Sequence, residues 1–521
     1  MPSTPHHLPS RRSRLALAGA VVALAVPVAG CGGGSSSAGG KGDADPAAVV
    51  PATAAFYGEV TVRPTGDLKT NVESLARKVT GTADPGQQLV ALLDKSLSRS
   101  GRSFKKDIDP WLGDKVGVAV TGLRGRHPDY VIVLDATDTG KGIATLKQSA
   151  KKVVERKYKG VTYLYNATQD QAAVAEKDTV SIGTETAIHA VIDVDKGADA
   201  LADSVNLKKA RADAGANALG FFYADPAGIL NLAASSNPLL GSQASSLQGL
   251  LGSAKPLTAT LTAQPDALRL QTTVTSAKAA KANGEAADTV ASLPDDSVLA
   301  LGLGTIGSRA DQGLAQVQKL GGIFAGVLGQ FTALTGLDLQ RDVLSWMGKG
   351  GLFVRAKGVA DIGGALVVDT SSEQKTTAFI ASARRLISQF GGSQGLKLTP
   401  FSGTGAKGFS LRISQLPFPI IVATGGGKFV VAVGGSSVAQ ALKPTGKLGD
   451  APQFKATATQ LGARPVLYVD LKSLVGLAQL ALGSDATFKK AEPYLTALTA
   501  LAAGSDVSGS TVKTNLVVGV K

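Results

Sequence analysis

Two stretches decide how this sequence folds: Phe104-Lys-Lys-Asp107-Ile-Asp-Pro-Trp111-Leu-Gly113 and Leu339-Gln-Arg-Asp342-Val-Leu-Ser-Trp346-Met-Gly348. Asp, an aliphatic residue, Trp, an apolar residue and Gly fall in register. These stretches hold both Trp residues of the chain, at a spacing of 235. Working outward, Tyr130–Asp135 matches Ala365–Asp369, Thr179–Thr184 matches Phe429–Gly435, and Leu219–Asp225 matches Val466–Asp470, in the same order. A recurring order of matches at one long spacing is the mark of internal duplication. The sequence therefore reads as two tandem homologous repeats, residues 51–275 and 294–521, joined by an Ala/Lys-rich, helix-like connector at 276–293.

Within the first repeat, a strand over 54–62 precedes helical patterns at 68–79 and 87–98. Strands at 116–121 and 130–136 follow across a Gly/Arg/Pro loop, and such close neighbours pair antiparallel. A helix is expected over 140–156, where Ile143, Leu146, Ala150 and Val153 recur at helical spacing. A meander at 161–165, 172–175 and 180–182 comes next, and a hairpin at 257–263 and 268–274 closes the repeat. Runs of strands separated by helices argue for an α+β fold, each repeat a mainly antiparallel sheet with meanders, hairpins and packed helices.

The opening Pro51-Ala-Thr-Ala-Ala-Phe56-Tyr57, Val62-Arg63-Pro64 and the Asp107-Ile-Asp-Pro-Trp111-Leu-Gly113 element resemble an uncharacterised bacterial exported lipoprotein family, domain of unknown function 3352. The resemblance covers nearly all of the chain after its leader. It implies an exported, duplicated α+β lipoprotein and carries no activity with it.

The N-terminus points to export on its own residues. Arg11, Arg12 and Arg14 precede the apolar run Leu15–Gly30, too short for a membrane-spanning helix, which needs about 20 residues. A basic region, a short apolar region and small residues at the end describe a signal peptide over 1–30. The sole cysteine follows in Val28-Ala29-Gly30-Cys31, a lipobox-like site, so Cys31 is the expected lipidation point. Two acyl chains on one residue give stable anchoring. Residues 31–50, rich in Gly and Ser, read as a flexible tether with a reach of roughly 25 Å. Ser10–Leu15 is loosely twin-arginine-like, and the general secretion route fits equally. The expected place is the extracytoplasmic face of the cell membrane, with the lipid bilayer as partner through acylated Cys31.

Composition narrows the chemistry. Of 521 residues, 44% are hydrophobic, enough to build cores. A single Cys excludes an intrachain disulfide framework and Cys-rich metal sites. Without residues 1–30, 51 basic residues face 40 acidic ones, net +11. That charge suits anionic lipid or wall polymer. Nucleic acid is not expected, since no basic motif is interleaved with aromatics.

Candidate sites are few. Gly302-Leu-Gly304-Thr-Ile-Gly307 has the dinucleotide-loop spacing, but a second match, Gly403-Thr-Gly405-Ala-Lys-Gly408, lies between strands, and 63 glycines make chance matches common. His127 and His189 have no ligand neighbours at metal-binding spacing. Asp107 and Asp109, or Asp193 and Asp195, could pair near a cation; Asp107 is read instead as a cap ahead of Trp111, and Trp111 and Trp346 as core plugs. Lys147, Lys151, Lys152, Arg156, Lys157 and Lys159 form a basic run read as a solvated helix face. No catalytic residue, cofactor-binding residue or metal ligand emerges. The expected protein is non-enzymatic and binds a ligand or partner, an apolar ligand such as a lipid among them. The alternative is an exported hydrolase or wall-modifying enzyme working through Asp107, Asp135, Asp369 or Asp470.

Overall fold

The computed structural model describes residues 44–521, apart from 98–101, 126, 150–151, 216, 237–254, 276–283, 308–309, 311–331, 333–335, 357, 359–360, 392–395 and 415. The signal peptide, Cys31, most of the expected tether and the first part of the expected connector, with Lys151, lie outside the described residues. The chain divides into two compact units. The first runs to Ala279 and includes Gly509–Val512; the second comprises Ala280–Ser508 and Lys513–Lys521.

The first unit runs β1 (Phe56–Thr61), α1 (Gly66–Thr80), α2 (Pro85–Leu97), β2 (Leu112–Arg124), β3 (His127–Ala136), α3 (Thr139–Ser149), β4 (Val153–Tyr158), β5 (Val161–Asn166), β6 (Gln171–Glu176), β7 (Thr179–Gly183), α4 (Glu185–Asp195), α5 (Val205–Ala214), β8 (Gly220–Ala224), α6 (Pro226–Ser236), β9 (Leu257–Gln264) and β10 (Ala267–Thr275). The sheet order is β4-β5-β6-β7-β3-β2-β1-β8-β9-β10, with every neighbouring pair antiparallel. Strand β3 explains the architecture. Its run Val131–Leu134 is buried throughout, and successive residues point to opposite faces. Val131 and Val133 meet Ile188, Val191 and Ile192 of α4. Ile132 and Leu134 share the other face with Trp111, Leu93 and Phe104. A strand covered on both faces reads as an unbroken apolar run rather than an alternating one.

The second unit runs α7 (Gly284–Ser292), β11 (Ser297–Thr305), β12 (Met347–Ala356), β13 (Ile362–Thr370), α8 (Glu373–Gly391), β14 (Lys397–Gly403), β15 (Ala406–Arg412), β16 (Ile420–Gly425), β17 (Lys428–Val433), α9 (Gly435–Leu442), α10 (Pro452–Leu461), β18 (Leu467–Val469), α11 (Leu471–Leu482), α12 (Ala486–Leu495), β19 (Leu498–Ser508) and β20 (Thr511–Val520). Its order is β14-β15-β16-β17-β13-β12-β11-β18-β19-β20, strand for strand the order of the first unit. The fold class is α+β with antiparallel strands, as the runs of strands implied.

Two expectations need correction. The helix expected over 140–156 ends at Ser149. Lys152 takes a left-handed conformation (φ 65°), and Val153–Tyr158 forms β4, paired with β5 across a turn at Lys159 and Gly160. The β-branched pair Val153-Val154 and the partner Val161-Thr162-Tyr163 favour extended chain over the helical spacing. The meander therefore has four strands, and the basic run is part helix, part hairpin. The tether, drawn to residue 50, is shorter: Ala47, Val49 and Val50 are buried, and the Leu201 amide donates to the Val50 carbonyl (2.7 Å). The second unit has a matching lead-in. Ala286, Ala287 and Val290 of α7 are buried, and the Leu448 amide donates to the Leu293 carbonyl (2.8 Å). Apolar side chains just ahead of the first strand are pulled into the core in both places.

Candidate functional site

Each Trp sits after a π-helical turn, Phe104–Ile108 or Leu339–Val343. The Trp111 indole N–H donates to the Asp107 carbonyl (2.7 Å), and Trp346 to that of Asp342 (2.9 Å). The Asp side chains close the turns: Asp107 accepts the Ser103 amide and Asp342 the Asp338 amide, both at 2.8 Å. Asp342 is held down at about 2, first by the Arg341 side chain and then by that amide. Asp107 is thus a cap, as the sequence suggested, and both Trp are buried.

The helix that follows the third strand lies over each Trp. Its start is the same in both units: the Asp138 carboxylate accepts the Lys141 amide (2.9 Å), and the Ser372 hydroxyl accepts the Lys375 amide (3.3 Å). Counting from these caps, Gly142 in α3 corresponds to Thr376 in α8. A Cβ on Gly142 would come within 2.8 Å of Val180 and 3.1 Å of the Trp111 ring. Only glycine lets α3 settle that low. In α8 the same point carries Thr376, fully buried, and the next turn carries Phe379, whose ring meets Trp346 (5.7 Å between centroids) and Phe429 (5.8 Å). Larger side chains prop α8 above the sheet.

The propped helix leaves a cleft of about 820 Å³ between α8 and the β14–β16 region. One helical stripe, Glu373, Thr377, Ala381, Arg384 and Ser388, forms its wall at spacings of four, four, three and four. The adjoining stripe, Phe379, Ile380, Ala383 and Ile387, packs into the core around Trp346. The opposite wall is Gly405, Lys407, Gly408, Phe409, Thr424, Gly425 and Gly426. The glycines leave the space open. Gly405 and Gly426 have positive φ (81° and 58°), and a Cβ on Gly408 would strike the Val422 carbonyl of the neighbouring strand. Ile380 and Phe409 give the cleft an apolar floor, while Arg384, Arg385 and Lys407 stand exposed at its rim. Among the described residues, no carboxylate pairs with these three cations. Glu373 is the lining's one acid, and its Oε1 accepts the Gly427 amide (3.3 Å). A space under α3, toward the β5–β6 turn, is only about 40 Å³ and is lined by Leu146, Leu164, Tyr165, Gln169 and Gln171 among others.

The residues singled out from sequence do not converge on one place. Asp135 is buried and accepts the Asp114 amide (2.8 Å). Burial pushes its carboxyl above the ordinary value, and backbone amides of Asp114 and Ala44 pull against that. Asp369, at the matching position, is exposed. Asp470 caps α11, accepting the Ser473 amide (3.0 Å), as Asp225 caps α6 by accepting the Gly228 amide (3.2 Å). Asp109 pairs with Arg63 (2.8 Å), Asp193 with Lys159 (2.6 Å) and Asp195 with Lys196 (2.9 Å). His127 is exposed at the start of β3. His189 stacks on Tyr158 (3.9 Å, 8°) and shares a 3.1 Å hydrogen bond with the Tyr163 hydroxyl. Lys147 pairs with Glu155, and Arg156 with Glu185, each at 2.7 Å.

The Gly302–Gly307 motif lies on and just after β11, which is antiparallel to both neighbours and so is no part of a parallel βαβ unit. A Cβ on Gly302 would strike the Ala286 carbonyl, so this glycine seats α7. Gly403–Gly408 spans the β14–β15 turn, as expected, and also walls the cleft. Arg384, Arg385, Lys407, Ile380 and Phe409 were not found from sequence. The signal was present in the regular Glu373–Ser388 stripe facing a glycine-rich turn, but nothing local joins α8 to β15.

One further cluster was not anticipated. Arg211 of α5 makes bonds of 2.7 and 2.8 Å to the Asp45 carboxylate and also contacts Glu59 and the Tyr57 hydroxyl. For Asp45, burial works to raise the carboxyl, and Arg211 outweighs it, leaving the value below normal. Burial, then Glu59, push the Tyr57 hydroxyl well up. This cluster clasps the lead-in segment onto β1 and α5.

The family model described as Protein of unknown function (DUF3352) matches residues 15–517, and the chain belongs to that family. No curated protein matches. Among solved structures, crystal form I of TP0453 is similar at 12% identity and a TM-score of 0.25, over 47% of this chain and 82% of that one. Crystal form III of TP0453 gives 12%, 0.26, 46% and 83%. Among the described residues, no helix is long and apolar enough to cross a membrane.

Proposed function

We propose that this DUF3352 member is a lipoprotein anchored through acylated Cys31 to the extracytoplasmic face of the membrane. Its body, on this reading, is two tandem homologous repeats, and the second binds an apolar ligand without chemically altering it. The observation that carries the binding role is the cleft under α8, whose volume falls within the range of ligand pockets, about 300–1,000 Å³. The duplication is supported by the shared strand order and the paired Trp-to-Asp-carbonyl bonds. The net charge of +11 beyond residue 30 suits anionic lipid or wall polymer as surroundings. The hydrolase alternative has weaker support: Asp107, Asp135 and Asp470 are each spent on backbone amides, and Asp369 is exposed.

Two experiments test the proposal. Cys31→Ala should release the protein from membranes or leave an uncleaved precursor; unchanged fractionation and migration overturns the anchor. For the cleft, the neutral dye Nile red should bind the delipidated protein, and Ala381→Trp, a large side chain on the exposed wall of α8, should abolish binding. Binding unchanged by Ala381→Trp would remove the cleft as the site.

A further inference from the structure

We infer that the α8 cleft selects amphiphiles with an anionic head, a phosphate or carboxylate, carried on an apolar body. This rests on the ligand-binding reading above and adds the chemical class. Three cations, Arg384, Arg385 and Lys407, stand at the rim against the single acid Glu373. Arg384 and Arg385 come from α8 and Lys407 from β15, so the cations are supplied by both walls rather than by one helix. Guanidinium groups match phosphate and carboxylate oxygens in bidentate geometry, and a lysine adds a point charge. Glu373 lies three helical turns before Arg384 and is engaged by the Gly427 amide. Below the rim the lining becomes apolar, with Ile380 and Phe409. A charged rim above an apolar floor offers a neutral alkane little at the mouth and a small free anion little below it. An amphiphile engages both.

The test uses full-length delipidated protein and four probes with separate outcomes: hexadecyl phosphate, hexadecanol, hexadecyltrimethylammonium and inorganic phosphate, each titrated calorimetrically at low and high salt. Hexadecyl phosphate should bind at least about tenfold more tightly than hexadecanol, a difference worth about 1.4 kcal/mol. The preference should shrink in high salt. The triple variant Arg384→Gln/Arg385→Gln/Lys407→Gln, changed only at exposed positions, should lose that preference while keeping its affinity for hexadecanol. Equal affinity for the phosphate and the alcohol, or a preference that survives in the triple variant, overturns the anionic class and leaves the apolar-ligand reading standing. Inorganic phosphate binding as tightly as hexadecyl phosphate overturns the amphiphile, because the floor then contributes nothing. Tighter binding of the ammonium reverses the sign of the rim. If none of the four binds, the site and the class fall together.

Discussion

The helix after the third strand borders an open cleft of about 820 Å³ in the second unit and a space of only about 40 Å³ in the first, and the two share only the matching positions of Ile380 with Leu146 and of Phe409 with Leu164. The difference comes down to a few side chains. Where the helix crosses the buried Trp, α3 has Gly142 and drops onto the sheet, while α8 has Thr376 followed by Phe379 and is held away. On the sheet side, the cleft of the second unit extends to the turns at Gly405, Gly425 and Gly426, whereas the space in the first lies toward Asn166, Gln169 and Gln171 of the β5–β6 turn. One topology thus supports a closed core and an open cleft, because close packing decides locally whether space is filled.

The comparison can be broken most severely at the tryptophans. Each unit holds one, so single-Trp variants made by Trp→Phe replacement report on one unit at a time. Trp346→Ala should cost its unit about 3–5 kcal/mol, and Trp111→Ala a similar amount in the other. The rings of Phe379 and Phe429 around Trp346 should add about 0.5–1.5 kcal/mol on that side. Urea unfolding followed by circular dichroism would show one transition moving and the other staying. Equal movement of both transitions would mean that the units do not unfold separately.

Arg211→Met tests a feature of the first unit, the clasp on its lead-in segment. It should cost about 2–3 kcal/mol by leaving Asp45 and Glu59 without their cation, and should speed amide exchange at 45–50. Exchange unchanged over those residues would make the clasp incidental. Gly142→Thr copies the α8 residue into α3 and should cost about 1–3 kcal/mol through overpacking against Val180 and Trp111. A neutral effect would show that α3 can rise as α8 does.

The pH dependence is smaller and sharply localised. Burial raises the Asp135 carboxyl, so ionisation opposes folding. The first unit should lose stability as pH rises through the window from the ordinary value of 3.8 to the raised one, and change no further from this group above it. Asp135→Asn should flatten that fall, and a fall of the same size in the variant would mean that another group carries it. The smallest effect belongs to Ala381→Trp. At an exposed helix position it should shift unfolding by no more than about 0.5 kcal/mol while removing Nile red binding. A large loss of stability would mean that the cleft wall is part of the core.

The sequence was informative wherever a signal is local. The helices at Gly66–Thr80 and Pro85–Leu97, the paired β2 and β3 and the closing hairpin follow from periodicity and turn residues, and the Asp-to-Trp element marks both units. The error at Val153–Tyr158 came from a short apolar pattern that suits either a helix or a strand; pairing with β5 decided it. The tether was drawn too long because Ala47, Val49 and Val50 look like any small apolar residues until a core forms around them.

By itself the sequence determined the α+β class, the family, the cap at Asp107 and the basic charge, because each rests on residue identity or near-neighbour spacing. The tertiary structure alone decided which space stays open, that Lys407 joins Arg384 and Arg385 in lining it, and that Asp45 is clasped by Arg211. Those outcomes depend on how far two elements distant in sequence are held apart, and that separation is set by the volumes of the side chains between them.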